Sequence, residues 1–198
     1  MPSAALMSSF SAEVETPEAI EPLLRRLVHL PLRQLTIGAL WDPMLEVKFE
    51  PRWLTDHAIE RLKLMQRPIT QPPGPEVSRL TQLWIAPGRP DDLHRLFEPP
   101  GAFPRLSELN VDCQFLERRH GNETSHFAEV LNGAATPALR ALHCRYARVE
   151  LQASLLERVA TSKILPRLEA FSFNPWSNDS VQLATVPERH RAAFAHLR

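Results

Sequence analysis

The sequence has few cysteines, few glycines and no excess of either charge. Cys113 and Cys144 are the two cysteines among 198 residues, too few for a disulfide framework. The 23 Lys and Arg residues equal the 23 Asp and Glu residues, so no net field favours nucleic acid or an anionic membrane as a partner. No apolar run reaches about 18 residues, the length a membrane-spanning helix needs. The start also lacks the basic and apolar regions of a signal peptide, so we expect a cytoplasmic protein with no membrane or nucleic-acid partner.

Motifs of several enzyme classes are missing too. The sequence contains no G-x-x-x-x-G-K, no G-x-G-x-x-G and no G-x-S-x-G, so phosphate cradles and nucleophile elbows have no support. Neither His120 and His126 nor His190 and His196 have the i, i+4 spacing of a helical pair of metal ligands. Cys144 is expected to be a small buried side chain, and His143 beside it should point to the opposite side of a strand. We therefore expect no enzyme, no cofactor and no metal. The alternative is a hydrolase or transferase with an unrecognised site.

A repeated pattern is the strongest feature of the chain. Five segments follow the pattern Leu-x-x-apolar-x-apolar, and most of them follow a proline, which is abundant here at 19 residues. The segments are Leu32-Leu35-Ile37, Leu80-Leu83-Ile85, Leu106-Leu109-Val111, Leu139-Leu142-Cys144 and Leu168-Phe171-Phe173. The last two apolar positions alternate with polar ones, as a strand with one buried face requires. Each segment is therefore predicted to be a strand whose leading Leu turns into the same core.

The first interval is longer than the others. The middle positions 35 and 83 lie 48 residues apart, whereas 83, 109, 142 and 171 are separated by 26, 33 and 29 residues. A hidden unit at Ile59-Leu62-Leu64 would divide the long interval. The rival is a helix over 54–65 with Thr55 as its N-cap, because apolar residues of this segment also share one helical face. We favour the helix.

Other stretches predict the elements between the strands. Apolar residues at 3–4 spacing predict helices near 17–27, 91–97, 125–131 and 151–159, and alternation over 45–49 is compatible with an extra strand. None of these units buries its apolar face alone, so stacking of units is the expected source of a core.

These segments resemble the leucine-rich-repeat family, in particular ribonuclease-inhibitor-like repeats with helices on the convex side. The resemblance covers roughly residues 17–198. It implies an α/β fold, a right-handed solenoid with a short parallel sheet on its concave face and helices on its convex face. The family has Asn or Cys three residues after the last apolar strand position. This chain has Leu40, Gly88, Gln114, Ala147 and Trp176 there, which predicts irregular turns. We expect residues 1–14 to be disordered and 15–198 to form the solenoid domain.

The resemblance also implies where a partner would bind. Strand residues between the core positions would face the concave side. We predict a contact patch for a protein partner at Trp84, Asn110, Asp112, His143 and Arg145, because Trp and Arg dominate binding hot spots. The alternative is that these are ordinary solvated residues, with Asp112 and Arg145 paired across adjacent strands for about 0.2–1 kcal/mol.

The expected function is therefore a non-enzymatic protein–protein interaction module that binds a protein through the concave face of the sheet. The alternative is a structural subdomain or fragment of a larger repeat protein, because the chain ends near 197, where the next strand would begin. An unpaired strand at that C-terminal end would be an open edge, which predicts self-association through it.

Overall fold

A computed structural model describes residues 8–14, 19–39, 50–64, 74–87, 90–113, 127–145, 147, 149–174 and 194–195. Within these ranges, seven strands form one parallel sheet in chain order, and the first and last strands do not pair with each other. The strands are β1 Ser9–Val14, β2 Gln34–Ala39, β3 Arg61–Leu64, β4 Gln82–Ile85, β5 Glu108–Asp112, β6 Ala141–Arg145 and β7 Ala170–Asn174. The helices are α1 Ile20–Leu27, α2 Pro90–Phe97, α3 Ala128–Asn132 and α4 Val149–Ala160. Short 3-10 helices cover Pro51–Leu54, Pro75–Val77 and Leu165–Arg167.

The predicted apolar triplets come into register across the sheet. The middle positions pair in one row, which runs Phe10, Leu35, Leu62, Leu83, Leu109, Leu142, Phe171. The last positions form a parallel row of Ala12, Ile37, Leu64, Ile85, Val111, Cys144 and Phe173. From β2 to β6 every member of both rows is buried. The side chains of one sheet face therefore form a continuous core, as the alternation predicts.

The leading position of each triplet is buried as well. These side chains lie just before the strands and are at most 2% exposed: Leu32, Ile59, Leu80, Leu106, Leu139 and Leu168. They add a third apolar row beside the two rows of the strands. The prediction that the leading Leu enters the same core is confirmed.

A repeated backbone contact sets the register where each strand begins. The carbonyl of Arg33 accepts the amides of both Glu60 and Arg61, at 2.8 and 2.9 Å. The same double contact recurs at every junction, with the carbonyls of Ser8, Arg33, Glu60, Thr81, Ser107 and Arg140 as acceptors. At two junctions a hydroxyl adds to it, because Thr81 Oγ1 donates to Glu60 O and Ser107 Oγ donates to Thr81 O. We name these contacts the entry ladder.

The long first interval contains the hidden unit. The predicted helix over 54–65 is wrong, because a 3-10 helix ends at Leu54 and β3 begins at Arg61. Thr55 follows the 3-10 helix and donates from Oγ1 to the Arg52 carbonyl at 2.6 Å, so it is not an N-cap. A strand between β2 and β4 pairs on both sides, and this gain in backbone hydrogen bonds outweighs the helical periodicity of the segment.

The sheet also begins earlier than the sequence predicts. The expectation that residues 1–14 are disordered is wrong for Ser9–Val14, which form β1 and pair with β2 over their whole length. Phe10 and Ala12 pack against the core. This strand has no leading Leu, so the triplet pattern does not detect it. The possible strand over 45–49 lies outside the described residues.

The predicted helices are present near the expected positions. In α1, Ile20 and Leu24 are buried, and the order of Glu21 before Arg25 and Arg26 complements the helix dipole. Helix α3 ends at Gly133, whose φ of +69° is the left-handed conformation favoured for a glycine at this position. Within the described part of the chain, no helix is long and apolar enough to cross a membrane.

Candidate binding face of the sheet

The polar positions of the strands share the side of the sheet that lies away from the core. We name this side the open face. The first two outward positions of each strand from β2 to β7 are at least partly exposed: Gln34, Thr36, Arg61, Lys63, Gln82, Trp84, Glu108, Asn110, Ala141, His143, Ala170 and Ser172. The strand period of two assigns them there, because each alternates with a residue of the buried rows. Side chains of different strands thus meet on one accessible surface.

Two cations contact the indole ring of Trp84. Lys63 Nζ lies 3.7 Å from a ring centroid of Trp84, and Arg145 Cζ lies 4.3 Å from a ring centroid. Lys63 is the register neighbour of Trp84 on β3, whereas Arg145 reaches it from β6 across β5. Both distances are within the range of a cation–π contact. We name Lys63, Trp84 and Arg145 the cation–aromatic cluster.

Lys63 carries its charge next to that of Arg145. Partial burial, and then the nearby charge of Arg145, lower the pKa of Lys63 from its ordinary 10.5. Among the described residues, no carboxylate forms an ion pair with Lys63. Within these residues, the contact shown for the ammonium is the one with the indole of Trp84.

A shallow groove of about 290 Å³ runs beside the cluster. Its lining residues come from β2 to β5 and include Gln34, Thr36, Arg61, Lys63, Gln82, Trp84, Glu108 and Asn110. The indole Nε1 of Trp84 is buried and has no hydrogen-bond partner within the described ranges. The groove combines an aromatic surface with hydrogen-bonding groups, which suits a peptide better than an apolar small molecule.

Glu108 contributes a negative charge to the groove, and both oxygens of its carboxylate accept hydrogen bonds from side-chain amides. Gln82 Nε2 donates to one carboxylate oxygen at 2.8 Å, and Asn110 Nδ2 donates to the other at 2.9 Å. These bonds fix the side chains of three open-face residues on two strands. Asn110 therefore has a defined orientation, set by Glu108.

The predicted contact residues divide into two groups. Trp84, Asn110 and His143 are consecutive in one register row of the open face, and Arg145 joins them through the cluster. His143 Nδ1 lies 2.7 Å from Ser172 Oγ on the next strand. Asp112 pairs in register with Arg145, as expected, but it is 3% exposed. The expectation that Asp112 is exposed for contact is therefore wrong: this side chain and that of the next residue, Cys113, are both buried.

Lys63 and Arg61 are the open-face residues that the sequence analysis missed. Both lie on β3, which the sequence analysis assigned to a helix. The spacing of Ile59, Leu62 and Leu64 contained the signal, because a strand with those core positions places 61 and 63 outward.

The search for metal ligands covers the described residues. No group of three or more His, Cys, Asp or Glu residues in the described ranges is able to hold a metal. Cys113 and Cys144 are buried, and His143 lies on the other side of the sheet from Cys144. A second groove of about 330 Å³ lies beside α1. Its lining includes His57, which lies between the 3-10 helix Pro51–Leu54 and β3. His57 Nε2 lies 3.1 Å from the Leu24 carbonyl and connects this segment to α1.

Comparison with known proteins supports the fold and leaves the activity open. No family model and no curated protein matches the chain. A crystal structure of a protein from Bacteroides fragilis is similar, with a TM-score of 0.60 and 18% sequence identity. The match covers 85% of this chain and 52% of the other, so this chain spans about half the length of that protein. At this identity the likeness concerns the fold alone.

Proposed function

We propose that the chain is a leucine-rich-repeat solenoid that acts without catalysis, binding a protein partner on the open face, which would be the concave side. The observation that carries this proposal is the cation–aromatic cluster in the middle of an accessible, polar sheet face. Trp and Arg are enriched among residues that dominate binding energy. Their side chains are already in contact here, so a partner would lose less conformational entropy in ordering them.

Three observations support the repeat assignment. Parallel strands follow one another in chain order, three apolar rows continue through successive units, and the entry ladder recurs at every junction. One departure from the family pattern is visible at Ala147, which is buried where the family has Asn or Cys. The other four such positions lie outside the described residues. The entry ladder uses backbone carbonyls, so it ties neighbouring units without those side chains.

Alanine variants of the cluster test the proposal. Tagged wild-type protein is used to capture a partner from cells that express it, and the purified partner is then titrated by calorimetry. We expect Trp84→Ala and Arg145→Ala each to weaken binding at least tenfold, because central aromatic and Arg residues cost about 2 kcal/mol or more when truncated.

The matched control is Arg158→Ala on α4, which removes an exposed Arg outside the sheet. This variant should bind the partner as the wild type does. Equal affinity for all four proteins would contradict a binding role of the open face.

A second candidate function is a structural subdomain of a larger repeat protein. The observation that favours it is the similar structure from Bacteroides fragilis, of which this chain matches 52%. Determination of the complete reading frame, followed by limited proteolysis of its product, distinguishes the two. A structural subdomain should resist separation from its neighbour, whereas a binding module should be released as a folded fragment.

A further inference from the structure

The charges of the open face are unevenly matched. Arg33, just before β2, forms an ion pair with Glu60, just before β3: Arg33 Nη1 lies 3.0 Å from Glu60 Oε1. On β3 itself, Arg61 and Lys63 follow each other on the open face, and neither forms an ion pair with a described carboxylate. Arg145, which stands in register with Asp112, also reaches this region through its contact with Trp84. The nearby carboxylate of Glu108 accepts bonds from neutral amides instead.

We propose that the open face binds an acidic, extended peptide segment, with a Glu or Asp carboxylate of the partner placed between Lys63 and Arg145 at Trp84. This inference rests on the proposed function and specifies its partner. A carboxylate there would pair with Lys63 and reduce its repulsion with Arg145. Arg61, two positions away on the same strand face, would meet a second acidic residue at the spacing of an extended peptide.

The aromatic surface argues against a nucleic acid as the ligand. Single-stranded nucleic acids are bound by stacking bases on free aromatic faces along a positively charged groove. Trp84 contacts Lys63 and Arg145 at its ring, so these side chains compete with a base for its faces. The balance of 23 basic and 23 acidic residues also provides no general attraction for a phosphate backbone. Amide groups at Gln34, Gln82 and Asn110 fit the polar backbone of a peptide.

Peptide titration provides a direct test. The probe is a fluorescein-labelled peptide of eight alternating Glu and Gly residues, with a Gln-Gly peptide of the same length as the neutral comparison. We expect the Glu peptide to bind more tightly by fluorescence anisotropy, and its affinity to fall as salt rises. Lys63→Gln should weaken it about fivefold, Arg61→Gln somewhat less, and Lys63→Glu at least tenfold. Arg158→Gln, which removes the same charge outside the sheet, should change it by less than twofold.

The outcomes separate this inference from the proposed function. Equal binding of the Glu and Gln peptides would overturn the acidic partner, and so would equal weakening by Lys63→Gln and Arg158→Gln. A single-stranded oligonucleotide that binds more tightly than the Glu peptide, with dependence on Lys63, would also overturn it. In each case the effect of Trp84→Ala on the captured protein partner still decides the proposed function. The melting temperature of each variant shows that the fold is retained, and Arg61→Gln, at an exposed side chain, repeats the test if Lys63→Gln is unstable.

Discussion

At the scale of single residues, glycine conformation gives a matched pair of positions. Gly133 and Gly101 have nearly the same φ, +69° and +68°. A Cβ on Gly133 would overlap Arg167 Nη2 and Ile164 Cγ2, whereas a Cβ on Gly101 would meet nothing within 4 Å. Arg167 is also bound there, because its Nη2 donates to the Gly133 carbonyl at 2.9 Å.

We therefore expect the two alanine variants to differ in stability. Gly101→Ala should lower the free energy of unfolding by about 1 kcal/mol, the cost of a left-handed backbone for an L-residue. Gly133→Ala should cost about 3 kcal/mol, because Arg167 and Ile164 must also move. Urea unfolding followed by circular dichroism measures both. Equal losses would show that the space around Gly133 does not matter.

The lowered pKa of Lys63 predicts a pH dependence of stability. Below the folded-state pKa, Lys63 is protonated in both states, and its unfavourable environment destabilises the fold by a constant amount. As pH rises from the folded-state pKa towards 10.5, the folded protein releases the proton first, so this destabilisation is relieved.

The measurement is the free energy of unfolding of the wild type minus that of Lys63→Met, between pH 7 and pH 10.5. The difference should rise with pH in the upper part of this window. The other titrating groups cancel in the subtraction. A difference that falls with pH would mean that the pKa of Lys63 is raised.

At the scale of elements, β3 provides a test of strand against helix. In the helix over 54–65, Ala58 would be buried and Leu64 would lie outside the apolar face. In the structure Leu64 is 1% exposed and Ala58 is exposed. Leu64→Ala should therefore cost about 2–5 kcal/mol of unfolding free energy, because it leaves a cavity between β2 and β4. Ala58→Asp should cost less than about 1 kcal/mol. The reverse order would support the helix.

The elements also show which features the sequence predicts. A triplet with a leading Leu is sufficient to identify β2, β4, β5, β6 and β7 together with their buried faces. It fails at β1, which has no leading Leu, and at β3, where one segment satisfies both the strand and the helix period. Pairing with two neighbouring strands decides the latter, and single-segment periodicity contains no information about neighbours.

The sequence predicts those residues of the candidate site that lie on strands identified by the triplets. Trp84, Asn110, His143 and Arg145 follow from the alternation of strands that the triplets identify. Lys63 was missed together with β3. The contact of Arg145 with Trp84 spans two strand intervals, so it depends on side-chain conformation and does not follow from sequence spacing.

At the scale of the whole molecule, the described sheet has two ends, β1 and β7. At the β7 end, Phe194 is 7% exposed and its ring stacks on Phe171, with centroids 6.3 Å apart. Phe171 itself packs edge-on against Phe173 at 5.0 Å. Phe194 thus covers part of the apolar surface of the last described strand.

Phe194→Ala is expected to expose this surface and to promote self-association through the β7 edge. Light scattering over a rising protein concentration should show a larger mean mass for the variant than for the wild type. Its free energy of unfolding should fall by about 3 kcal/mol. Phe10→Ala, in the row at the β1 end, is the comparison. If Phe194→Ala remains monomeric at the highest concentration, self-association at this end is contradicted.

The entry ladder has a consequence for how such a chain tolerates change. The middle positions of β2 to β7 are separated by 27, 21, 26, 33 and 29 residues, yet the strands stay in step. The hydrogen bonds of the entry ladder align the first residues of each strand with the preceding strand. The length of the connection between two strands therefore does not alter which of their side chains are neighbours. Insertions and deletions in the connections can therefore accumulate while the arrangement of side chains on the open face stays constant, so the open face and the connections behind it are free to change separately.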